Sequence, residues 1–152
     1  MGFLTGKTAI ITGGGRAVLS NGECGSIGYG IATAYAKEGA NLVVTGRNVQ
    51  KLTDAKEELE KKYGIKVLPV QADVSAGADN EAIVQNVVKQ AIDTFGRIDV
   101  LINNAQASAS GVTIADHTTE QFDLAVYSGL YAAFYYMKAC YPYLKETKGS
   151  VI

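Results

Sequence analysis

The sequence is poor in several of the residue types that would mark a secreted, metal-binding or membrane protein. Its two cysteines, Cys24 and Cys140, are too few for a disulfide framework and have no zinc-ligand spacing, so two reduced thiols in a cytoplasmic protein are expected. The lone histidine, His117, has no cysteine or second histidine near it, and no metal site is expected. No 18-residue stretch is apolar and free of charge, so no segment is expected to span a bilayer. The N-terminus, Met1 to Lys7, lacks the basic region and long apolar core of a signal peptide. Charged residues make up 19%, below the roughly 25% of average globular chains, and the formal net charge is −1. That balance gives no electrostatic reason to hold nucleic acid or an anionic membrane. Hydrophobic residues make up 47%, which excludes intrinsic disorder.

Glycine is the excess: 17 in 152 residues, beside only two prolines. That is above the usual ~7%, with no collagen period. The length suits one domain, which at this size buries roughly 70% of its unfolded surface.

Apolar runs of strand length alternate with stretches of helical period along the whole chain. Lys7–Thr12, Asn41–Thr45, Ile65–Val70 and Asp99–Ile102 read as strands buried on both faces. Helices follow them: one through Ile27, Ile31, Ala34 and Tyr35, stopped by Gly39; one through Leu52, Ala55, Leu59 and Tyr63, ended by Gly64; and one from Ile83 to Phe95, closed by Gly96. Thr118 and Gln121 have capping-box spacing and open a long helix. It carries Phe122, Val126, Leu130, Ala133, Phe134, Met137 and Tyr141 on one face and ends between Pro142 and Lys148. Gly149 to Ile152 read as the first half of a fifth strand. The pattern predicts an α/β fold, a Rossmann-type doubly wound parallel sheet, truncated in the fifth strand. Residues 1–152 then form one dinucleotide-binding domain, incomplete at its C-terminus.

A doubly wound sheet binds its ligand at the carboxyl ends of its strands, and the first turn there is glycine-rich. Gly13, Gly14, Gly15 and Arg16 leave the first strand, and Ser26, Ile27 and Gly28 enter the first helix. Glycines let the backbone approach a pyrophosphate, and the helix's unpaired N–H groups meet the anion. At the end of the second strand Gly46 stands where an acid would bind the ribose of NAD, and Arg47 follows. A carboxylate would repel a 2′-phosphate and a guanidinium binds it, so NADP is the expected cofactor, with Arg16 a second positive charge.

These residues, with Asp73-Val74 after the third strand and Asn103-Asn104-Ala105 after the fourth, resemble the short-chain dehydrogenases/reductases along the whole chain. The resemblance implies that Asp73 bonds the adenine amine, that Val74 packs beside the ring, and that Asn103 to Ala105 steady the central strand and lie along the cofactor. Three departures stand out. Residues 17–25 lengthen the first turn by nine and would lean over the adenosine end, contact a neighbouring subunit, or form a tolerated surface loop. Gln106 replaces a glycine. Gly129 falls where the family's catalytic asparagine lies, and has no side chain to hold a proton-relay water. The insertion and residues 103–111 resemble the family's NADP-dependent 12α-hydroxysteroid dehydrogenase branch, which implies a bile-acid 12α-hydroxyl, or another secondary alcohol, as the small-molecule substrate.

The family's serine and Tyr-x-x-x-Lys pair would lie beyond Ile152. Tyr141 and Lys145 have that spacing, but they sit at the end of the long helix, away from the cofactor edge, with Pro142 between them. No catalytic residue is therefore assigned within the chain. It is expected to supply the cofactor half of an enzyme and to be inactive alone. A non-catalytic NADP-binding module is the alternative. The resemblance also implies a homo-oligomer joined through the apolar long helix, whose other use is to cover the chain's own sheet.

Overall fold

The computed structural model describes residues 2–152. Five parallel strands form one sheet in the order β3-β2-β1-β4-β5, with β1 Thr8–Thr12, β2 Asn41–Gly46, β3 Val67–Gln71, β4 Val100–Ile102 and β5 Ser150–Val151. Helices α1 Ile27–Lys37, α2 Val49–Tyr63, α3 Asn80–Phe95, α4 Thr119–Ala125 and α5 Ala132–Thr147 fill the connections. This is the doubly wound parallel sheet expected of the alternating pattern. The chain winds outward one way through β2 and β3, then crosses back to β4, which places the switch point between β1 and β4.

The central strand β1 is buried on both faces, and its period of two divides the core. Ala9 and Ile11 face α1 and α2, where Tyr29, Ala32, Leu52 and Leu59 pack against them. Ile10 faces the other layer, with Val84, Val87, Tyr136 and Cys140 of α3 and α5. Of the two prolines, Pro69 lies in the edge strand β3, where a missing N–H costs no ladder bond if it faces solvent.

Pro142 corrects the sequence reading. It lies inside α5, which continues to Thr147, so Tyr141 and Lys145 share an unbroken helix. Losing one N–H is outweighed by burial of Cys140 and Leu144 on either side and by the Thr147 hydroxyl donating to the Ile98 carbonyl at 2.8 Å. The long helix differs in a second way. A π-turn at Val126–Tyr131 separates α4 from α5, although the capping box at Thr118 and Gln121 forms as the spacing predicts. Along α5 the buried residues are Ala132, Tyr136, Cys140 and Leu144, and the last three join the core layer that faces Ile10. The stripe of Phe122, Leu130, Phe134, Met137 and Tyr141 is exposed instead.

The long first turn folds into a small hairpin. Val18 and Cys24 form an antiparallel bridge, Leu19 N–H donates to Glu23 at 2.8 Å, and Gly25 N–H donates to Ala17 at 2.7 Å.

Candidate functional site

A groove of about 290 Å³ lies at the carboxyl ends of β1, β2, β3 and β4, across the switch point. Gly13, Arg47, Asp73, Val74 and Ala105 line it, so five of the residues singled out from the sequence are brought together there. Thr45, Gly46, Ala72, Asn104, Gln106 and Ala107 complete the wall. A smaller cavity of about 140 Å³ adjoins it toward the π-turn, lined in part by Asn103, Asn104, Gln106, Ser128, Gly129 and Tyr136.

Two glycines make the turn possible. Gly13 has φ 73°, in the left-handed region. Gly28 passes so close to the turn that a Cβ there would meet the Gly13 carbonyl oxygen at 2.1 Å and Asn104 Nδ2 at 2.6 Å. Helix α1 therefore starts against the turn, with the Ser26 hydroxyl accepting from the Tyr29 N–H and Ile27 exposed at its first position. Gly14 packs on Val44, and Gly15 lies over Lys51. These four positions shape the cradle from behind.

The polar groups of the groove are poised differently. The Arg47 carbonyl accepts from Gln71 Nε2 at 3.0 Å, which fixes its backbone, while its side chain is exposed and makes no ion pair among the described residues. Asp73 Oδ1 accepts both the amide and the hydroxyl of Ser75, at 2.9 and 2.6 Å; no donor within the described residues reaches Oδ2. Burial opposes the Asp73 charge, but the Ser75 hydroxyl and amide and the Arg47 guanidinium outweigh it and hold the carboxyl below the usual carboxylate range. Asn80 Nδ2 donates to the Val74 carbonyl at 2.7 Å and steadies that wall.

Arg16 goes elsewhere. Its guanidinium pairs with Glu58 of α2, and it does not line the groove. The hydrogen bond from Arg16 holds the Glu58 carboxyl below its ordinary range, while burial pushes the neighbouring Tyr29 hydroxyl up. The insertion also stays away from the groove: Val18 packs on the α1–α2 core, Cys24 sits beside Thr33 of α1, and none of residues 17–25 lines the wall.

Asn104, the middle residue of the Asn103-to-Ala105 segment expected to steady the central strand, is central to the site. Its side chain ties the groove floor to β1, and the signal for it was the Asn-Asn pair directly after a buried strand. Ser128 was not singled out from the sequence. Its hydroxyl accepts from the Ala107 N–H at 2.9 Å and contacts the Ala107 and Leu124 carbonyls at 3.0 and 2.7 Å, pinning the loop after β4 to the π-turn.

Tyr141 and Lys145 do not approach the groove. They lie at the end of α5 that packs on Ile98, before β4 begins, whereas the groove is at the far end of that strand. His117 is in the loop before α4. No group of three or more metal-ligating side chains occurs among the described residues, and no helix there is long and apolar enough to cross a membrane.

Residues 7–152 match the short chain dehydrogenase family. The chain is 65% identical to a 12alpha-hydroxysteroid dehydrogenase of Clostridium sp. over all 152 residues, which cover 56% of that protein. Among solved structures it resembles L-sorbose reductase from Gluconobacter frateurii, complexed with NADPH and L-sorbose, with TM-score 0.83 and 31% identity over 99% of this chain and 52% of that one. It also resembles an alcohol dehydrogenase from Thermococcus sibiricus, complexed with 5-hydroxy-NADP, with TM-score 0.82 and 28% identity over 95% of this chain and 56% of that one. The chain thus spans about half the length of the relatives it matches.

Proposed function

We propose that this chain, which belongs to the short chain dehydrogenase family, is the NADP-binding half of an oxidoreductase acting on a secondary alcohol. The observation that carries the reading is the exposed Arg47 guanidinium at the end of β2, without an ion pair among the described residues, in a groove whose floor only glycine permits. A dinucleotide fits these residues. The N-terminus of α1, with Gly13, Gly14, Gly15, Ser26, Ile27 and Gly28 around it, meets the pyrophosphate. Arg47 takes the 2′-phosphate, and Arg16 adds positive charge behind the turn. Asp73 Oδ2 is open to the adenine amine, and Val74 flanks the ring. Asn103 and Ala105 hold the nicotinamide half. When bound, that cofactor supplies or accepts the hydride.

The 65% identity to a 12alpha-hydroxysteroid dehydrogenase supports the 12α-hydroxyl of bile acids as the substrate class. The loop from Gln106 to Gly111 forms part of the substrate wall. No residue of the chain is placed as a proton donor or acceptor at the groove, so residues 1–152 alone bind cofactor without turnover. The protein is cytoplasmic and pairs with a second copy through the exposed stripe on α4 and α5, which supports the oligomeric reading over burial on its own sheet.

Fluorescence titration tests the cofactor reading. NADPH binds at least tenfold more tightly than NADH, and Arg47→Ala removes most of that difference. Equal affinity for the two nucleotides, or no binding of either, would overturn it.

A further inference from the structure

The two departures at Gln106 and Gly129 meet in space. A Cβ built on Gly129 would lie 3.3 Å from Gln106 Nε2, 3.6 Å from its Cδ and 3.7 Å from its Cγ. The Gln106 side chain therefore occupies the volume that a side chain at 129 would enter. It also lines both the nucleotide groove and the 140 Å³ cavity behind it. The cavity has room for several waters, each needing roughly 30 Å³, and polar groups to hold them. Tyr136 lines it, is 1% exposed, and its hydroxyl, near the Thr45 side chain, makes no hydrogen bond among the described residues. The hydroxyls of Thr12 and Ser128, by contrast, are engaged with backbone groups. The Gln106 carboxamide makes no hydrogen bond to the described residues, while Ser128 holds the adjoining Ala107 in place on both sides of its peptide.

We propose that Gln106 and Gly129 form a reciprocal pair, in which the Gln106 carboxamide anchors an ordered water in the cavity and thereby acts as the positioning residue for the reacting hydroxyl. The pairing is steric and the water is electrostatic. A side chain at 129 would displace the amide, and loss of the amide would remove the polar group that borders position 129. The assignment rests on the proposed dehydrogenase function for its final step, but the pair and its water are properties of this chain.

Three variants test it: Gln106→Leu, Gly129→Asn, and Gln106→Gly combined with Gly129→Asn. A crystal structure of this chain at high resolution is expected to show a water bonded to the Gln106 amide inside the cavity, lost in Gln106→Leu. Gly129→Asn alone lowers the melting temperature by several degrees, and the double variant recovers most of that loss. In the full-length dehydrogenase, Gln106→Leu lowers kcat at least tenfold with KM for NADPH within twofold, and the double variant restores kcat to within threefold of the parent. A dry cavity, additive melting shifts, or unchanged kcat in Gln106→Leu would each overturn the proposal. Failure of the unaltered chain to bind NADPH overturns the proposed function instead, and the water and melting measurements still decide the pair.

Discussion

Asn104 grips Thr12 twice: its backbone N–H donates to the Thr12 hydroxyl at 2.9 Å, and its side-chain Nδ2 donates to the Thr12 carbonyl at 2.8 Å. The Ala105 N–H also donates to that hydroxyl at 2.9 Å, and the hydroxyl reaches the Ile102 carbonyl at 3.3 Å. One buried threonine thus joins the ends of β1 and β4 at the switch point. Thr12→Val keeps the shape and strands these backbone donors, so it should cost about 2 kcal/mol in urea unfolding. Asn104→Ala should cost a similar amount and weaken NADPH binding about tenfold, because the floor of the groove is released. Unfolding midpoints and a fluorescence titration of each variant check both expectations.

Arg47 and Arg16 separate in a cofactor comparison. Arg47 is exposed at the groove without an ion pair among the described residues, whereas Arg16 is already paired with Glu58. A charge-assisted bond to phosphate contributes about 1.5–3 kcal/mol, so Arg47→Ala should lower NADPH affinity roughly 10- to 100-fold and leave NADH affinity within twofold. Arg16→Ala should change the NADPH to NADH ratio less than threefold. Isothermal titration of both nucleotides against both variants reads the difference. A larger effect at Arg16 would show that its pair with Glu58 opens for the phosphate.

The alternation of short apolar runs with helical stripes made the sheet legible, because a strand buried on both faces leaves few other ways to arrange residues 8–12 or 41–46. Five of the named site residues converge because turn position at a strand's carboxyl end depends only on topology. Side-chain direction was less legible. Arg16 turns toward α2 because Glu58 offers a carboxylate forty-two residues away, a partner that spacing along the chain cannot reveal. The π-turn was hidden for a related reason. Phe122 to Tyr141 fit a helical period straight through Val126–Tyr131, so spacing alone carries no mark of the π-turn, and the large side chains of that stripe are exposed. The hairpin at 17–25 was legible as an insertion, while its seat on α1 depends on Val18 and Cys24 finding partners there.

Asp99 predicts an acid-side loss of stability. Its side chain is 5% exposed, accepts from the Thr8 N–H at 2.9 Å and pairs with Arg97 at 2.6 and 2.8 Å. Burial opposes its charge, but Arg97 and the Thr8 amide outweigh burial and lower its pKa below the usual value. A carboxylate depressed on folding contributes stability that is present above its unfolded pKa, near ~3.9, and lost as pH falls through the lower folded value. Asp99→Asn should therefore be destabilised by about 2 kcal/mol at pH 7, with the gap to the parent closing below about pH 4. Denaturant melts at pH 3, 4, 5 and 7 measure this. A gap independent of pH would assign the effect to packing.

The two thiols differ in reach. Cys24 is exposed, whereas Cys140 is buried and its pKa is pushed up to about 12 by burial. The thiolate is the reactive species, so a thiol reagent at pH 8 should titrate one cysteine in the native chain and both in denaturant. Equal rates for the two would mean that α5 opens on the timescale of labelling.

The exposed stripe on α4 and α5 predicts a contact between two copies of the chain. Phe122, Leu130, Phe134 and Met137 are between 42% and 69% exposed, and the rings of Tyr127 and Tyr131, also exposed, lie tilted against each other beside them. Aromatic and methionine side chains of this kind are enriched at interface centres, and a two-fold contact buries the same stripe on both copies. Leu130→Glu with Phe134→Lys places like charges near their own symmetry mates and should shift a dimer toward monomer in light scattering at micromolar concentration. The folded core should be unaffected, because Ala132, Tyr136, Cys140 and Leu144 carry the packing on the sheet. A lowered melting temperature without a change in mass would instead mean that the stripe serves its own chain.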